Sequence, residues 1–121
     1  MSDYKNKLES SMGLLLQSAG VPFSYEKVRV PYTKEHYYLP DFFVLANSWG
    51  ESFYIETKGR FLPCDRKKHL LIQAQHPELD IRFAFSQPKA RLSKRSKTTY
   101  AEWCEKHGFL YCGKVLPKTW L

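Results

Sequence analysis

The sequence predicts an α/β fold, built in the order helix, three strands, helix, strand. Three observations support it: apolar residues recur at helical spacing near the N-terminus, aromatic-rich or alternating runs of strand length follow, and a second helical stretch precedes another strand-like run. At 121 residues the chain can bury a core of its own, so we expect residues 1–121 to form a single domain.

The first predicted helix runs from about Asp3 to Ser18, with Gly20 positioned to end it. Its apolar stripe comprises Leu8, Met12, Leu15, Leu16 and Ala19. The first predicted strand, Val21 to Val30, rests on a less regular alternation of apolar and polar residues and is closed by Pro31.

The middle of the chain predicts a hairpin. Tyr37 to Leu45 is dense in aromatic and β-forming residues, and Ser52 to Lys58 alternates as a strand does. Between them, the string Asn47-Ser48-Trp49-Gly50 has the composition of a turn. The two strands are therefore expected to pair with each other.

The second half of the chain predicts two further helices, each followed by a strand. Asp65 to Gln75 has high helix propensity and is ended by Pro77, after which Leu79 to Phe85 is typical of a strand. Thr98 or Thr99 can cap a short helix to about Lys106, and Gly108 ends it. Phe109 to Cys112 is expected to form an edge strand.

Basic residues outnumber acidic ones by 19 to 12, and the resulting net charge of +7 favours polyanionic partners, with nucleic acid first among them. Many small proteins carry surplus lysine for solubility alone, so the clustering of the charges decides. Between Gln87 and Lys97, five of eleven residues are basic and none is acidic. The candidate DNA-binding residues are Arg66, Lys67, Lys68, Lys89, Arg91, Lys94, Arg95 and Lys97.

Cysteine usage predicts a reducing, cytoplasmic location, because Cys64, Cys104 and Cys112 are odd in number and irregularly spaced. A zinc site could draw on Cys104, His107 and Cys112 with Cys64 or His69, although no paired C-x-x-C spacing is present. No segment approaches the roughly 20 apolar residues of a membrane span, and the first five residues lack the apolar core of a signal peptide. No membrane partner is therefore expected.

The clearest chemistry belongs to Asp41, directly after Pro40, and to Glu56 and Lys58 in the string Phe53-Tyr54-Ile55-Glu56-Thr57-Lys58-Gly59. Side chains alternate faces along a strand, so Glu56 and Lys58 share one face. If Asp41 begins the neighbouring strand, its carboxylate lies beside that of Glu56. Two like charges about 4 Å apart repel by roughly 4 kcal/mol at an effective dielectric of about 20, so either one carboxyl is protonated or a cation lies between them.

A divalent cation is the interpretation that gives this arrangement a function. Carboxylate oxygens suit Mg²⁺, with Mn²⁺ as a substitute, and we expect one or two ions per site, with the backbone carbonyl of Thr57 as a further ligand. Such an ion polarises phosphate, while the ammonium of Lys58 can orient the attacking water or stabilise the charge that builds on the phosphate. The pattern predicts a metal-dependent nuclease without a small-molecule cofactor, whose catalytic residues include Asp41, Glu56 and Lys58.

The two motif halves, Leu39-Pro40-Asp41-Phe42 and Glu56-Thr57-Lys58-Gly59, stand among other strings with a familiar pattern. These strings are Lys7-Leu8-Glu9, Phe23-Ser24-Tyr25-Glu26, Val30-Pro31-Tyr32, DRKKHLLIQAQHPELDIRFAFS at residues 65–86, and Thr99 to Gly108. In these residues the chain resembles the phage endonuclease I family of Holliday-junction-resolving enzymes, within the PD-(D/E)XK nuclease superfamily. The resemblance covers nearly the whole chain and is far more specific than the catalytic motif.

This resemblance implies a restriction-endonuclease-like αβββαβ core, in which helices flank a central mixed sheet, and a homodimer whose subunits exchange the N-terminal helix and first strand. Each active site would then be composite, with Asp41 and Glu56 holding the metal, Lys58 assisting hydrolysis, and Glu9 coming from the other chain. Enzymes of this kind resolve four-way (Holliday) junctions and other branched DNA by paired nicks that leave 5′-phosphates. A phage enzyme would act in the host cell cytoplasm.

Two rival functions stay open, because a PD dipeptide followed by ExK also arises by chance on a solvated strand face. One is a different PD-(D/E)XK nuclease, such as a transposon-end or restriction-like enzyme, which would prefer a defined duplex sequence. The other is a basic module that binds DNA without cutting it. His69 is a further candidate, as a general base, but a helical histidine beside Leu70 and Leu71 is expected to pack or to contact phosphate instead.

Overall fold

The computed structural model describes residues 4–121, which form two compact units: an N-terminal unit that ends at His36, and a C-terminal unit from Tyr37 to Leu121. The fold is mixed α/β, as predicted. Its elements are α1 (Lys7–Ser18), β1 (Phe42–Val44), β2 (Phe53–Lys58), α2 (Pro63–Gln75), β3 (Ile81–Phe85), α3 (Tyr100–His107), β4 (Tyr111–Cys112) and a 3₁₀ turn (Lys118–Trp120).

Helix α1 ends where the sequence predicted it to end. The Val21 N–H donates to the carbonyl of Leu16 (3.1 Å), which closes the last turn while Gly20 takes a φ of +70°. At the other end, the side chain of Asn6 accepts a hydrogen bond from the Glu9 N–H (2.9 Å) and caps the first turn. The predicted start near Asp3 lies outside the described residues.

The predicted strand from Val21 to Val30 is wrong, because none of these residues is in a strand. Glu26 has a φ of +52°, which interrupts an extended backbone, and Val28 and Val30 are more than three-quarters exposed. A strand also needs a neighbour that accepts and donates its backbone hydrogen bonds. The αβββαβ order therefore lacks its first strand in this chain.

The C-terminal unit contains a four-stranded mixed sheet in the order β1-β2-β3-β4. β1 is antiparallel to β2, as the predicted hairpin requires, although β1 is shorter than the predicted Tyr37–Leu45. β2, β3 and β4 run parallel, with α2 connecting the first two of these and α3 the last two. Each connection is thus a βαβ unit.

Aromatic side chains fill one face of this sheet and a smaller cluster covers the other. The large cluster comprises Phe61, Ile81, Phe83, Phe85, Tyr100, Trp103, Cys104 and Phe109. The small one comprises Phe53, Ile55, Cys112 and Trp120. Strand alternation explains the division, since Phe53 and Ile55 point to one side of β2 while Tyr54 packs against the large cluster.

The cysteines form no disulfide in the structure. Cys104 and Cys112 lie in different core clusters, and burial raises the pKa of the Cys104 thiol to about 12. These positions argue against a shared zinc site, and residues 4–121 contain no group of three or more His, Cys, Asp or Glu side chains arranged to hold a metal. Over the same range, no helix has the length and apolar character that crossing a membrane requires.

Candidate active site

The pairing of β1 with β2 brings the two predicted carboxylates together. Phe42 pairs with Ile55, so the next step of the antiparallel register places Asp41 opposite Glu56. The two side chains therefore leave the hairpin on the same face. Lys58 follows two residues after Glu56 on the same face of β2. Asp41, Glu56 and Lys58 therefore lie close together at one end of the hairpin.

Asp41 is held by the strand opposite it. Thr57 donates two hydrogen bonds to Oδ2 of Asp41, one from its backbone N–H and one from its hydroxyl, both 2.8 Å long. These two donors, the backbone N–H above all, hold the pKa of the Asp41 carboxyl below its usual range. Asp41 is also exposed, so it is an ionised and accessible carboxylate.

Glu56 has the opposite environment. Its neighbour on β3 is Phe83, a residue of the large core cluster, so its side chain leaves β2 on the face that α2 covers and is only 7% exposed. Burial raises the pKa of Glu56, while a hydrogen bond from the Tyr38 hydroxyl to Oε1 (2.6 Å) and the Lys58 ammonium, 3.5 Å from Oε2, oppose that rise. Each carboxylate oxygen of Glu56 thus has its own polar neighbour.

Lys58 connects β2 to the first turn of α2. Its Nζ lies 3.5 Å from Oε2 of Glu56 and 3.3 Å from Oδ1 of Asp65, with 18% of the side chain exposed. Asp65 also accepts a hydrogen bond from the Leu62 N–H (3.0 Å) and so caps the helix. Although burial favours protonated Asp65, this hydrogen bond and the nearby Lys58 keep its pKa low. The ammonium is consequently held between two acidic side chains.

Two members of this cluster, Tyr38 and Asp65, were absent from the sequence prediction. Asp65 had a local signal: it follows Pro63 by two residues, at a position that suits an acidic side chain in a helical first turn. Tyr38 had none, because it precedes β1 and its contact with Glu56 joins residues 18 positions apart. Only the folded hairpin brings that hydroxyl to the carboxylate.

His69 is a core residue. It is completely buried, its ring packs edge-on against Tyr38 and Phe83, and neither ring nitrogen has a hydrogen-bond partner. Burial, together with the nearby Lys58 and Lys68, lowers the pKa of the imidazole to about 4. The expectation that this histidine packs is confirmed, and its complete burial argues against phosphate contact.

Glu9 lies in the N-terminal unit, in the first turn of α1. Its carboxylate accepts hydrogen bonds from the Tyr25 hydroxyl and from the Lys5 N–H (3.0 Å). The bond from Tyr25 is the main reason that the pKa of Glu9 falls below its usual range, and the same bond raises the pKa of Tyr25 to about 12. These contacts give Glu9 a capping role within its own unit, and its catalytic role stays a prediction.

Seven of the eight candidate DNA-binding residues are exposed. The eighth, Arg66, is partly buried and donates a hydrogen bond from its guanidinium to the Phe61 carbonyl (2.6 Å), so part of its donor capacity is used inside the protein. The Nζ of Lys68 lies 5.2 Å from the centre of the Tyr38 ring, whose hydroxyl contacts Glu56. Arg91 and Thr99 pair in an antiparallel β-bridge, which joins the two ends of the segment that carries Lys94, Arg95 and Lys97.

Comparison with known proteins finds matches over nearly the whole length of this chain. The family model of Phage endonuclease I matches residues 1–121. Endodeoxyribonuclease 1 of Enterobacteria phage T3 is 48% identical over an alignment of 117 residues, which covers 94% of this chain and 74% of the relative. Endonuclease I of Escherichia phage T7 is 45% identical over an alignment of 121 residues, which covers 98% of this chain and 78% of the relative. The chain therefore belongs to the phage endonuclease I family.

Proposed function

We propose that this chain is a Mg²⁺-dependent endodeoxyribonuclease that resolves four-way junctions and other branched DNA by paired nicks leaving 5′-phosphates. The proposal rests on the adjacent carboxylates of Asp41 and Glu56 with Lys58 beside them, in a chain whose T3 and T7 relatives are named as nucleases. The hairpin, with PD directly before β1 and ExK within β2, also supports a place in the PD-(D/E)XK superfamily.

The donor set fits a divalent ion. Two carboxylates that face each other across a strand pair repel unless a proton or a cation intervenes, and the two hydrogen bonds from Thr57 favour the ionised form of Asp41. Asp41, Glu56 and the carbonyl of Thr57 would hold one or two Mg²⁺ ions, or Mn²⁺ in their place. When bound, the ion would supply Lewis-acid polarisation of the phosphate and a more acidic water.

The residues of the chain itself supply position and charge. Thr57 keeps Asp41 ionised, and the Tyr38 hydroxyl and Lys58 hold Glu56 from its two oxygens. The ammonium of Lys58 lies beside the carboxylates, where it can orient the attacking water and offset the charge that develops on the phosphate in the transition state. Asp65 keeps that ammonium in place.

Substrate binding would depend on charge and shape. The exposed basic residues of α2 and of the loop at residues 87–97 would contact phosphates, which carry no sequence information. We include in the proposal a homodimer that exchanges its N-terminal segments and places Glu9 of each chain in the other chain's site. Two such sites at a fixed angle would favour branched DNA, because a straight duplex cannot fill both.

A cleavage assay with matched substrates tests the activity. The protein is incubated with a four-way junction or with a linear duplex that has the sequence of one strand of that junction. Each reaction is run in Mg²⁺, in Ca²⁺ and in EDTA. We expect paired, symmetric nicks only in the junction and only when Mg²⁺ is present. DNA ligase should reseal these nicks, since sealing needs a 5′-phosphate. Cleavage of the linear duplex at one sequence, or metal-independent binding without cleavage, would contradict the proposal.

Mixing two inactive variants tests the composite site. Glu9→Gln and Glu56→Gln chains are unfolded together, refolded and compared with each variant refolded alone. If Glu9 crosses to the partner, about half of the dimers are mixed and each mixed dimer regains one of two sites, so about a quarter of wild-type nicking returns. If Glu9 serves its own chain, every site in the mixture stays defective and no activity returns.

A further inference from the structure

Tyr38 lies outside the strands and yet contacts the centre of the candidate site. Its hydroxyl donates to Oε1 of Glu56 at 2.6 Å. Its ring packs edge-on against the buried His69, with 5.3 Å between ring centres and 87° between ring planes, and lies at the margin of the large core cluster. The ring is therefore fixed by the core, and the hydroxyl at its tip has a defined position.

That position determines the orientation of Glu56. A glutamate side chain has several rotatable bonds and loses considerable freedom when it is held in one conformation. Here the Tyr38 hydroxyl contacts Oε1 while the Lys58 ammonium lies 3.5 Å from Oε2, so the carboxylate has a polar neighbour at each oxygen. With both neighbours present, the Glu56 carboxyl is held on the face of β2 where the strand register places Asp41 opposite it.

We propose that Tyr38 is a positioning residue: its hydroxyl holds Glu56 in the orientation in which Glu56 and Asp41 bind the same cation. This inference rests on the proposed function, since it assumes that these two carboxylates are metal ligands. It assigns to Tyr38 no contact with the reacting atoms. Hydrogen bonds to ligating carboxylates fix ligand orientation, and their loss typically costs about 10-fold to 100-fold in metal affinity.

The role of the hydroxyl can be separated from that of the ring. A phenylalanine at position 38 keeps the ring contact with His69 and removes only the hydrogen bond to Glu56. The chain also contains a matched control: the Tyr111 hydroxyl donates to Oε1 of Glu105 at the same 2.6 Å, on the surface and two strands away from Glu56. Tyr111→Phe therefore deletes a tyrosine–glutamate hydrogen bond of the same length outside the acidic pair.

The test is calorimetric titration of Mn²⁺ into the full chain, as wild type, Tyr38→Phe, Tyr111→Phe and Glu56→Gln. We expect Mn²⁺ affinity to fall by about 10-fold to 100-fold in Tyr38→Phe, to change less than about twofold in Tyr111→Phe, and to be lost in Glu56→Gln. In cleavage assays, Tyr38→Phe should need more Mg²⁺ for half-maximal rate and recover much of that rate at saturation. Its affinity for junction DNA in EDTA should be unchanged.

The outcomes separate this inference from the function on which it rests. If Glu56→Gln abolishes Mn²⁺ binding and Tyr38→Phe binds as wild type does, the role of Tyr38 is overturned and the proposed metal site stands. Equal losses in Tyr38→Phe and Tyr111→Phe would also overturn it, and so would a Tyr38→Phe chain that melts at lower temperature with unaltered Mn²⁺ affinity. A wild-type chain that binds no Mn²⁺ would overturn both proposals.

Discussion

The N-terminal and C-terminal units use their apolar residues differently. In the C-terminal unit, twelve apolar or aromatic side chains are buried in two clusters, one on each face of the sheet. In α1 of the N-terminal unit, the only buried residue is Gly13, while Leu8 and Leu15 are 68% and 62% exposed. The same amphipathic pattern that predicts a helix thus leaves its apolar face in water in the single chain.

The two units therefore obtain their stability from different sources. The C-terminal unit buries enough aromatic surface to maintain its own fold. Helix α1 has good caps, but most helical stability in proteins comes from packing an apolar face. Contiguous exposed apolar surface commonly marks an interaction site, and this surface supports the proposed exchange of N-terminal segments between two subunits.

The largest expected effect comes from the acidic pair of the C-terminal unit. Asp41→Asn and Glu56→Gln should each slow junction cleavage by at least about 1000-fold, equivalent to about 4 kcal/mol in the activation barrier, because each removes an anionic ligand. Single-turnover cleavage in Mg²⁺ measures this, and junction affinity in EDTA controls for folding. A variant that cuts as fast as wild type would show that catalysis does not depend on this pair.

The next effect concerns the core of the same unit. Because His69 has a pKa of about 4 in the fold against 6.5 for an ordinary histidine, the unfolded chain binds more protons between these values. The free energy of unfolding should be highest above pH 6.5 and should fall by at most about 3 kcal/mol as the pH drops towards 4. Urea unfolding at pH 7.5, 5.5 and 4.5 measures this.

His69→Phe is the control for that pH dependence. It keeps an aromatic ring against Tyr38 and Phe83 and removes both unpartnered nitrogens, so its stability should vary less between pH 7.5 and 4.5. An unchanged profile would assign the acid sensitivity to other groups.

A smaller effect is expected from the basic loop. Replacing Lys94 and Arg95 with alanine should lower junction affinity and reduce the slope of log affinity against log salt by about 2, because each contact releases about one counterion. A matched double substitution at Lys27 and Arg29 removes the same charge from the N-terminal unit. Equal effects from both pairs would mean that net charge, and not the loop, governs binding.

The helix caps of the two units should contribute unequally to stability. Thr99 caps α3 in the C-terminal unit, and Asn6 caps α1 in the N-terminal unit. Thr99→Ala should cost about 1 kcal/mol in urea unfolding followed by tryptophan fluorescence, since α3 carries Trp103 of the core. Asn6→Ala should cost less than half as much in the same assay. Equal costs would show that α1 is coupled to the core as tightly as α3.

Much of the candidate site could be predicted because it depends on local periodicity. Alternation along β2 places Glu56 and Lys58 on one face, and the turn after Leu45 predicts the hairpin that sets Asp41 opposite Glu56. The caps at Gly20, Thr99 and Gly108 are equally local. The predicted strand from Val21 to Val30 failed because a strand also needs a partner, which its own sequence cannot specify.

Amino-acid order was enough to predict the mixed α/β class, most element positions, the acidic pair with its lysine, and membership of the family. Folding decided that Glu56 is buried and Asp41 exposed, that Tyr38 and Asp65 complete the cluster, and that His69 belongs to the core. The two sets of properties differ in how far along the chain their causes lie. Side-chain direction repeats every two or 3.6 residues, whereas burial and hydrogen-bond partners depend on segments that only the folded chain brings together.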